Sequence, residues 1–416
     1  MERTISHSNG QDDSDVAGYA RVDLRTLLPV TGLKEYWYPG VLAKDVKKKP
    51  ILLRILDKEV CLFQGKSGIA AVDNACVHRG GMLHTGDCWW PGTISCFYHG
   101  WTYDENGEVL AVLSEGPDCK IPGQVKLRVY PTRTLQGVVW IWMGDGVPAP
   151  IEEDVPREFF DEKAMVLTSV TEWDQCNWRQ SLENNADSHP GYLHRNSFRR
   201  GIYPIPHGRT RIPRPEVFEG RTLNRRRDPA APQSNRYAGV PKPYQRVYPL
   251  LGAKWPRSRW RLSWTWFFDL LNKRVPKQTL RYDDPEWGAG SQHLPGMVRN
   301  YHHGYYYTRQ VVAVGANKTR LFYFHSSKPS NALGRLLGRI MYYGWGNWLQ
   351  NYNFSGQDGA ANTFLYYDQP EYLSATDAQT VEWRRLILHA RGMNGASSTQ
   401  PNGVEAVPDT KISVKS

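Results

Sequence analysis

The sequence predicts an α+β chain in which a small all-β unit is followed by a larger mixed one. Three observations carry this. Between Ile51 and Met143 the apolar residues come in short β-rich runs cut by glycine-bearing turns. After about residue 305 two strand-like runs flank a short turn, and later segments change to helical spacing. The chain has 416 residues, room for two to three domains at roughly 150 residues each.

The elements follow in order. Residues 1–32 read as a polar extension that settles onto the fold, and structure begins at Tyr36-Trp37-Tyr38-Pro39. Cys61-Leu62-Phe63 and Ile69-Ala70-Ala71-Val72 flank Gly65-Lys66-Ser67-Gly68, a hairpin; Thr102-Tyr103 and Val109-Leu110 flank Asp104-Glu105-Asn106-Gly107, another. Val138-Val139-Trp140-Ile141-Trp142 closes this unit, residues 33–150, and Gly144 to Pro150 reads as a linker. The second unit, 151–392, opens on a helical stretch from Asn177 to Ser188. Residues 201–260, rich in Pro, Gly and Arg, read as long loops. Tyr305 to Val314 and Arg320 to Phe324 form a hairpin about Gly315-Ala316-Asn317-Lys318. Leu333, Leu336, Leu337 and Ile340 have helical spacing, as do Trp383, Leu386, Ile387 and Ala390. Ser374-Ala375-Thr376-Asp377 resembles a capping box before the last helix, and Gly392 is its stop. Residues 393–416 form a polar tail.

Composition excludes several classes. With 40% hydrophobic and 12% aromatic residues, 16 of them Trp, the chain is not disordered throughout. No apolar run approaches the roughly 18 residues that span a bilayer. The start, MERTISHSNGQDDSD, has neither a basic n-region nor an apolar h-region, so no secretory signal is expected. Six Cys do not make a disulfide scaffold in a chain of this length, which predicts a reduced, cytoplasmic protein. The net charge of +11 is concentrated: Arg195 to Arg227 holds ten Arg against Glu216 and Glu219. Such a block suits an acidic partner, nucleic acid or an anionic ligand, and equally a solvated loop.

Cys76-Val77-His78 is followed by Cys96-Phe97-Tyr98-His99. Two Cys and two His make a four-ligand site, and Cys2His2 is also a zinc set. Each short pair here mixes one Cys with one His, which suits a two-iron, two-sulfide cluster with thiolates on one iron and imidazoles on the other. Imidazole is neutral where thiolate is anionic, so that exchange raises the reduction potential. Cys76-Val77-His78-Arg79-Gly80 and Cys96-Phe97-Tyr98-His99-Gly100-Trp101 resemble the two Rieske loops of ring-hydroxylating oxygenases, without the extra Cys of each loop in respiratory-complex Rieske proteins. The resemblance implies that Cys76 and Cys96 bind one iron, and His78 and His99 the other. Cys88 reads as an incidental thiol and His84 as a surface or packing residue.

Two His five apart, His189 and His194, suit a two-His-one-carboxylate site, which leaves iron positions open for dioxygen. On a straight helix they would diverge, but Pro190-Gly191 breaks the helix and allows both imidazoles to converge. The stretch Asn177 to His194 resembles the catalytic-iron motif of Rieske oxygenases, in which an Asp three residues before the first His bridges to the cluster of a neighbouring subunit. Here Ala186 holds that place and Asp187 lies two before His189, so Asp187 is the assigned bridge, with capping of the helix end as its other reading. Glu183 and Asn184 read as scaffold. Asp358 is the expected carboxylate ligand, because the family's comes late, on a long helix, and Asn353 to Asp358 follows the aromatic segment of Trp345, Trp348 and Tyr352. Its other reading is a solvated Asp beside Gly359. His302-His303 is a rival pair, but neighbours on a strand point to opposite faces.

Glu371 to Asp377 and Val381 to Arg385 resemble the tail of homotrimeric oxygenases of the carbazole and oxoquinoline type. Together these resemblances imply a Rieske non-haem iron terminal oxygenase with a helix-covered, helix-grip-like antiparallel sheet as catalytic domain. They imply one [2Fe-2S] cluster, one mononuclear Fe(II), and electrons from NAD(P)H through a ferredoxin or flavin reductase. They further imply a head-to-tail homotrimer that brings His99 of one chain near Asp187 and His189 of the next. The substrate would be aromatic or otherwise hydrophobic, with Trp264, Trp266, Phe267, Phe268 and Tyr305 to Tyr307 as pocket candidates that also suit a core. The reaction would be mono- or dihydroxylation, with O- or N-demethylation as the alternative. An electron-transfer Rieske protein, or a zinc-stabilised nucleic-acid binder using the arginine block, are the rivals from other classes. Neither nucleic acid nor membrane is an expected partner.

Overall fold

The computed structural model describes residues 23–186, 213–227, 274–282, 287–302 (289 excepted), 304–374 and 377–393, with isolated positions besides. The first unit is built from three small antiparallel sheets. Strands β1 (Trp37–Leu42), β8 (Thr132–Leu135) and β9 (Val138–Trp142) make one, in the order β1-β9-β8. Strands β2 (Ile51–Ile55), β3 (Lys58–Gln64) and β4 (Ile69–Asp73) make the second, and β5 (Thr93–Ser95), β6 (Trp101–Asp104) and β7 (Val109–Val112) the third. The two expected hairpins are β3–β4 and β6–β7. Gly107 turns the second of them at φ 77°, a left-handed conformation that side chains resist.

The second unit is an antiparallel sheet. It contains β10 (Met165–Asp174), β11 (Pro213–Phe218), β12 (Thr222–Arg227), β13 (Lys277–Gln278), β14 (Ser291–His293), β15 (Met297–His302), β16 (Tyr305–Gly315) and β17 (Lys318–Pro329). Its order is β10-β17-β16-β15-β14-β12-β11, with β13 on β17. The predicted 305–324 hairpin forms its two longest strands, and β17 runs on to Pro329. The long-loop expectation for residues 201–260 is corrected at Pro213 to Arg227, which pair as the β11–β12 hairpin about Glu219-Gly220. Proline sits in β11 because β11 is the edge strand, where an absent N–H breaks no ladder.

Four helices accompany the sheet among the described residues: α1 (Trp178–Ala186), α2 (Ala332–Met341), α3 (Ser355–Thr363) and α4 (Ala378–Leu388). The helix of α2 forms as predicted, but Leu333, Leu336 and Ile340 face outward, each more than half exposed. Between α2 and α3 the backbone widens into π-helical turns over Tyr342–Gly346 and Trp348–Phe354. Before α4, Asp377 Oδ2 accepts the Ser374 N–H at 2.7 Å, the reciprocal half of the predicted capping box.

One hydrophobic core runs through both units. Trp140 of β9 packs edge-on against Phe159 at 5.3 Å, and Phe159 against Phe324 of β17 at 5.0 Å. Leu56 N–H donates across to the Ala313 carbonyl at 2.8 Å. Of the expected N-terminal extension, residues 1–22 lie outside the described residues; its last part is held on α1, where Trp178 Nε1 donates to the Pro29 carbonyl (2.9 Å) and Arg179 Nη1 to that of Arg25 (3.0 Å). A second core lies under the two Cys/His loops, with Phe63, Leu83, Ile94 and Tyr103 at its centre.

Candidate metal centres

The two Cys/His loops are built alike. Gly80 N–H donates to the Cys76 carbonyl (2.8 Å), and Gly100 N–H to that of Cys96 (3.1 Å). Both glycines are left-handed, at φ 72° and 68°. Each loop is therefore one tight turn that begins at its cysteine, holds its histidine, and ends on a residue without a Cβ. Sheet strands β4, β5 and β6 fix the loop stems.

The turns bring the four side chains together as two pairs. Cys76 and Cys96 are buried and their thiols meet, which with burial raises the Cys96 thiol above its ordinary range. His78 and His99 lie outward, their ring centroids 4.6 Å apart and at 74°. The remaining space is a cradle: a Cβ on Gly81 would meet Cys96 Sγ at 2.8 Å. Among the described residues no three His, Cys, Asp or Glu side chains are set about a single ion. Two thiols inside and two imidazoles outside fit a group with two metal atoms, one for each pair.

Neighbours set this pair arrangement. His78 stacks on the Trp101 indole at 5.0 Å and 5°. The Tyr103 hydroxyl lies 3.0 Å from Cys76 Sγ. Burial raises the Tyr103 phenol above its ordinary pKa, and the Cys76 contact adds to this. Sequence reading missed Tyr103 as a site residue; its alternation with Trp101 on one strand was the available signal. His84 is a packing residue, its Nδ1 2.9 Å from Asn74 Oδ1. Cys88 is half-buried, and none of the six cysteines forms a disulfide.

Of the second constellation, Asp187, His189 and His194 lie outside the described residues, as do His303, Trp264, Trp266 and Phe268. Helix α1 carries the motif up to Ala186. Glu183 is scaffold, paired with Arg384 (2.7 Å) and accepting from the Tyr367 hydroxyl (2.7 Å). Tyr306 and Tyr307 are buried in the sheet, whereas Phe267 is half exposed. Of the arginine block, Arg195 to Arg211 lie outside the described residues, and Arg221 pairs with Glu153 (3.4 Å) and Glu219 (3.3 Å).

Asp358 stands in the first turn of α3 and is only 5% exposed, which removes its reading as a solvated residue. Arg309 Nη1 lies 3.7 Å from Asp358 Oδ2. The next residue permits a close approach: a Cβ on Gly359 would stand 2.9 Å from the Trp173 indole. A buried carboxylate fits the hard donor of a two-His-one-carboxylate iron set.

Comparison with known proteins follows this division. Residues 36–131 match the Rieske [2Fe-2S] domain, and residues 142–208 match the homotrimeric ring hydroxylase model. The terminal oxygenase component of carbazole 1,9a-dioxygenase from a Sphingomonas species is 32% identical over 169 residues, 40% of this chain and 44% of that protein. The tert-butanol monooxygenase / tert-amyl alcohol desaturase oxygenase subunit of Aquincola tertiaricarbonis is 31% identical over 202 residues, 45% of this chain and 43% of that protein. The chain thus spans less than half the length of these curated relatives. A solved structure of the oxygenase in complex with its ferredoxin, from carbazole 1,9a-dioxygenase, superposes with a TM-score of 0.64 at 22% identity, over 90% of this chain and 94% of that one. The two share a fold.

Proposed function

We propose that this chain, in which residues 36–131 match a Rieske [2Fe-2S] domain and residues 142–208 a homotrimeric ring hydroxylase, is the terminal oxygenase component of a multi-protein system. It takes electrons, ultimately from NAD(P)H, through a ferredoxin or flavin reductase. With dioxygen it hydroxylates an aromatic or other hydrophobic substrate. The working form is a homotrimer in the cytoplasm. The observation that carries the reading is the pairing of buried Cys76 and Cys96 with outward His78 and His99, in a chain whose next segment matches the ring hydroxylase.

In this assignment Cys76 and Cys96 hold one iron of the cluster, His78 and His99 the other, and His189, His194 and Asp358 hold the mononuclear Fe(II). When bound, the cluster supplies single electrons and the mononuclear iron supplies open positions for dioxygen. The protein does the rest. Burial of the thiols and exposure of the imidazoles direct electron exit toward a neighbouring molecule. Trp101 stacks on the His78 ring, and the Tyr103 hydroxyl, 3.0 Å from the Cys76 sulfur, would donate to it when that sulfur is a thiolate. Asp187 would bridge to the neighbouring copy's His99 side. Asp358 is held out of water, where a carboxylate–metal contact is not weakened by solvent.

Iron, acid-labile sulfide and zinc per chain, on protein purified without oxygen, test the assignment. About three iron and two sulfide are expected. About two iron and two sulfide, with no further iron taken up, would leave an electron carrier. The similarity to the tert-butanol monooxygenase subunit supports monooxygenation beside dihydroxylation, and O- or N-demethylation is the second reading. Product analysis separates the two, because demethylation releases formaldehyde and dihydroxylation leaves a diol.

A further inference from the structure

Strand β16 is apolar and buried for most of its length, yet it carries an arginine. Arg309 is 3% exposed, with its guanidinium 5.3 Å from the Trp173 ring centroid. Burying a cation here is expensive compared with a packed apolar side chain, so the contacts it makes are informative. Nη2 donates to the Ser181 carbonyl at 3.0 Å, and Nη1 to Ser355 Oγ at 3.3 Å, a hydroxyl also 3.1 Å from Tyr323 Oη. Nη1 also faces Asp358 Oδ2 at 3.7 Å. Ser181 is on α1, which leads to Asp187 and His189. Ser355 and Asp358 are on α3. One rigid fork from the sheet therefore grips both helices that lead into the mononuclear site.

We propose that Arg309 is the positioning residue of this site: it orients the Asp358 carboxylate for metal binding and fixes α1 and α3 relative to each other. The proposal rests on the reading of Asp358 as a ligand. Its chemical logic is that ligand carboxylates need a second partner to fix their orientation. Arginine supplies that in a planar, always charged form with several donors, which lysine does not.

The test uses the full chain with its cluster, depleted of mononuclear iron by chelation and titrated with Co(II). The readouts are the dissociation constant and the visible Co(II) bands, which report coordination. Cluster absorbance and the thermal midpoint are followed in parallel. Arg309→Met should weaken Co(II) binding roughly 10- to 100-fold and alter the Co(II) bands, with cluster absorbance retained. Arg309→Lys, which keeps the charge and serves where Arg309→Met does not fold, should bind with intermediate affinity and altered bands. Wild-type affinity and bands in the arginine variants, with binding lost in Asp358→Ala, would overturn the inference while the ligand assignment stands. Wild-type binding in Asp358→Ala would overturn the ligand assignment itself, and the inference with it. Loss of Co(II) binding only in step with loss of cluster and thermal transition would reduce Arg309 to a structural residue and overturn its positioning role.

Discussion

At Tyr103, strand β6 turns a hydroxyl onto Cys76 Sγ, 3.0 Å away. Burial keeps the phenol protonated, so it can donate to a thiolate sulfur. A donor at sulfur favours the reduced, more negative cluster. Tyr103→Phe should therefore lower the reduction potential, by roughly 40 mV if the bond contributes about 1 kcal/mol to a one-electron couple. An EPR-monitored redox titration measures this, and an unchanged potential would show that the hydroxyl does not act on the cluster. The residue scale also divides what was legible from what was not. Cys76, His78, Cys96 and His99 stand in two short segments, so their spacing alone suggested a paired site. Tyr103 and Arg309 contact partners 27 and 49 residues away along the chain, Cys76 and Asp358, and no local pattern reports such contacts.

Among the elements, α3 shows how a helix is set to bury a carboxylate. Gly359 lets it lie against Trp173 of β10, and Asp358 is buried as a result. Gly359→Ala would place a Cβ 2.9 Å from the indole, so the helix must shift. The expected cost is about 1–3 kcal/mol in denaturant unfolding. Mononuclear iron per chain should fall while the cluster spectrum stays, and full iron retention would show that α3 tolerates the shift. Helical spacing correctly marked α2, but it could not say which side meets the core. Periodicity describes a face and not its partner, and here Leu333, Leu336 and Ile340 face outward. The β11–β12 hairpin was hidden for a different reason. Its proline and arginine content reads as loop, and only its place at the sheet edge makes that composition compatible with a strand.

For the whole molecule, the decisive feature is a core shared between the two units. Trp140, Phe159 and Phe324 interlock, Leu56 and Asp57 bond to Ala313 and Val314, and Arg320 Nη1 reaches the Arg54 carbonyl at 3.1 Å. Separating the units would expose the Trp140 face, so they should unfold together. Calorimetry is expected to show one cooperative transition, with the calorimetric and van't Hoff enthalpies in agreement. Two resolved transitions would mean that the interface contributes little. The same packing holds the cluster loops at a fixed distance from the second unit within one chain. In the proposed function, electron exit through the outward His78 and His99 would then depend on how copies assemble.

The sequence by itself determined the order of the parts: a β-rich unit with two Cys/His turns, then a mixed unit with a strand hairpin and helices. These depend on short-range causes, namely turn glycines, alternation and helical spacing, which act over a few residues. Only the tertiary structure decided that the thiols pair inside and the imidazoles outside, that Asp358 is withdrawn from water, and that Arg309 grips α1 and α3 together. Those outcomes depend on strand register and on the shared core, which bring together residues far apart along the chain. No window of the sequence contains both partners of such a contact, so only the folded chain displays them.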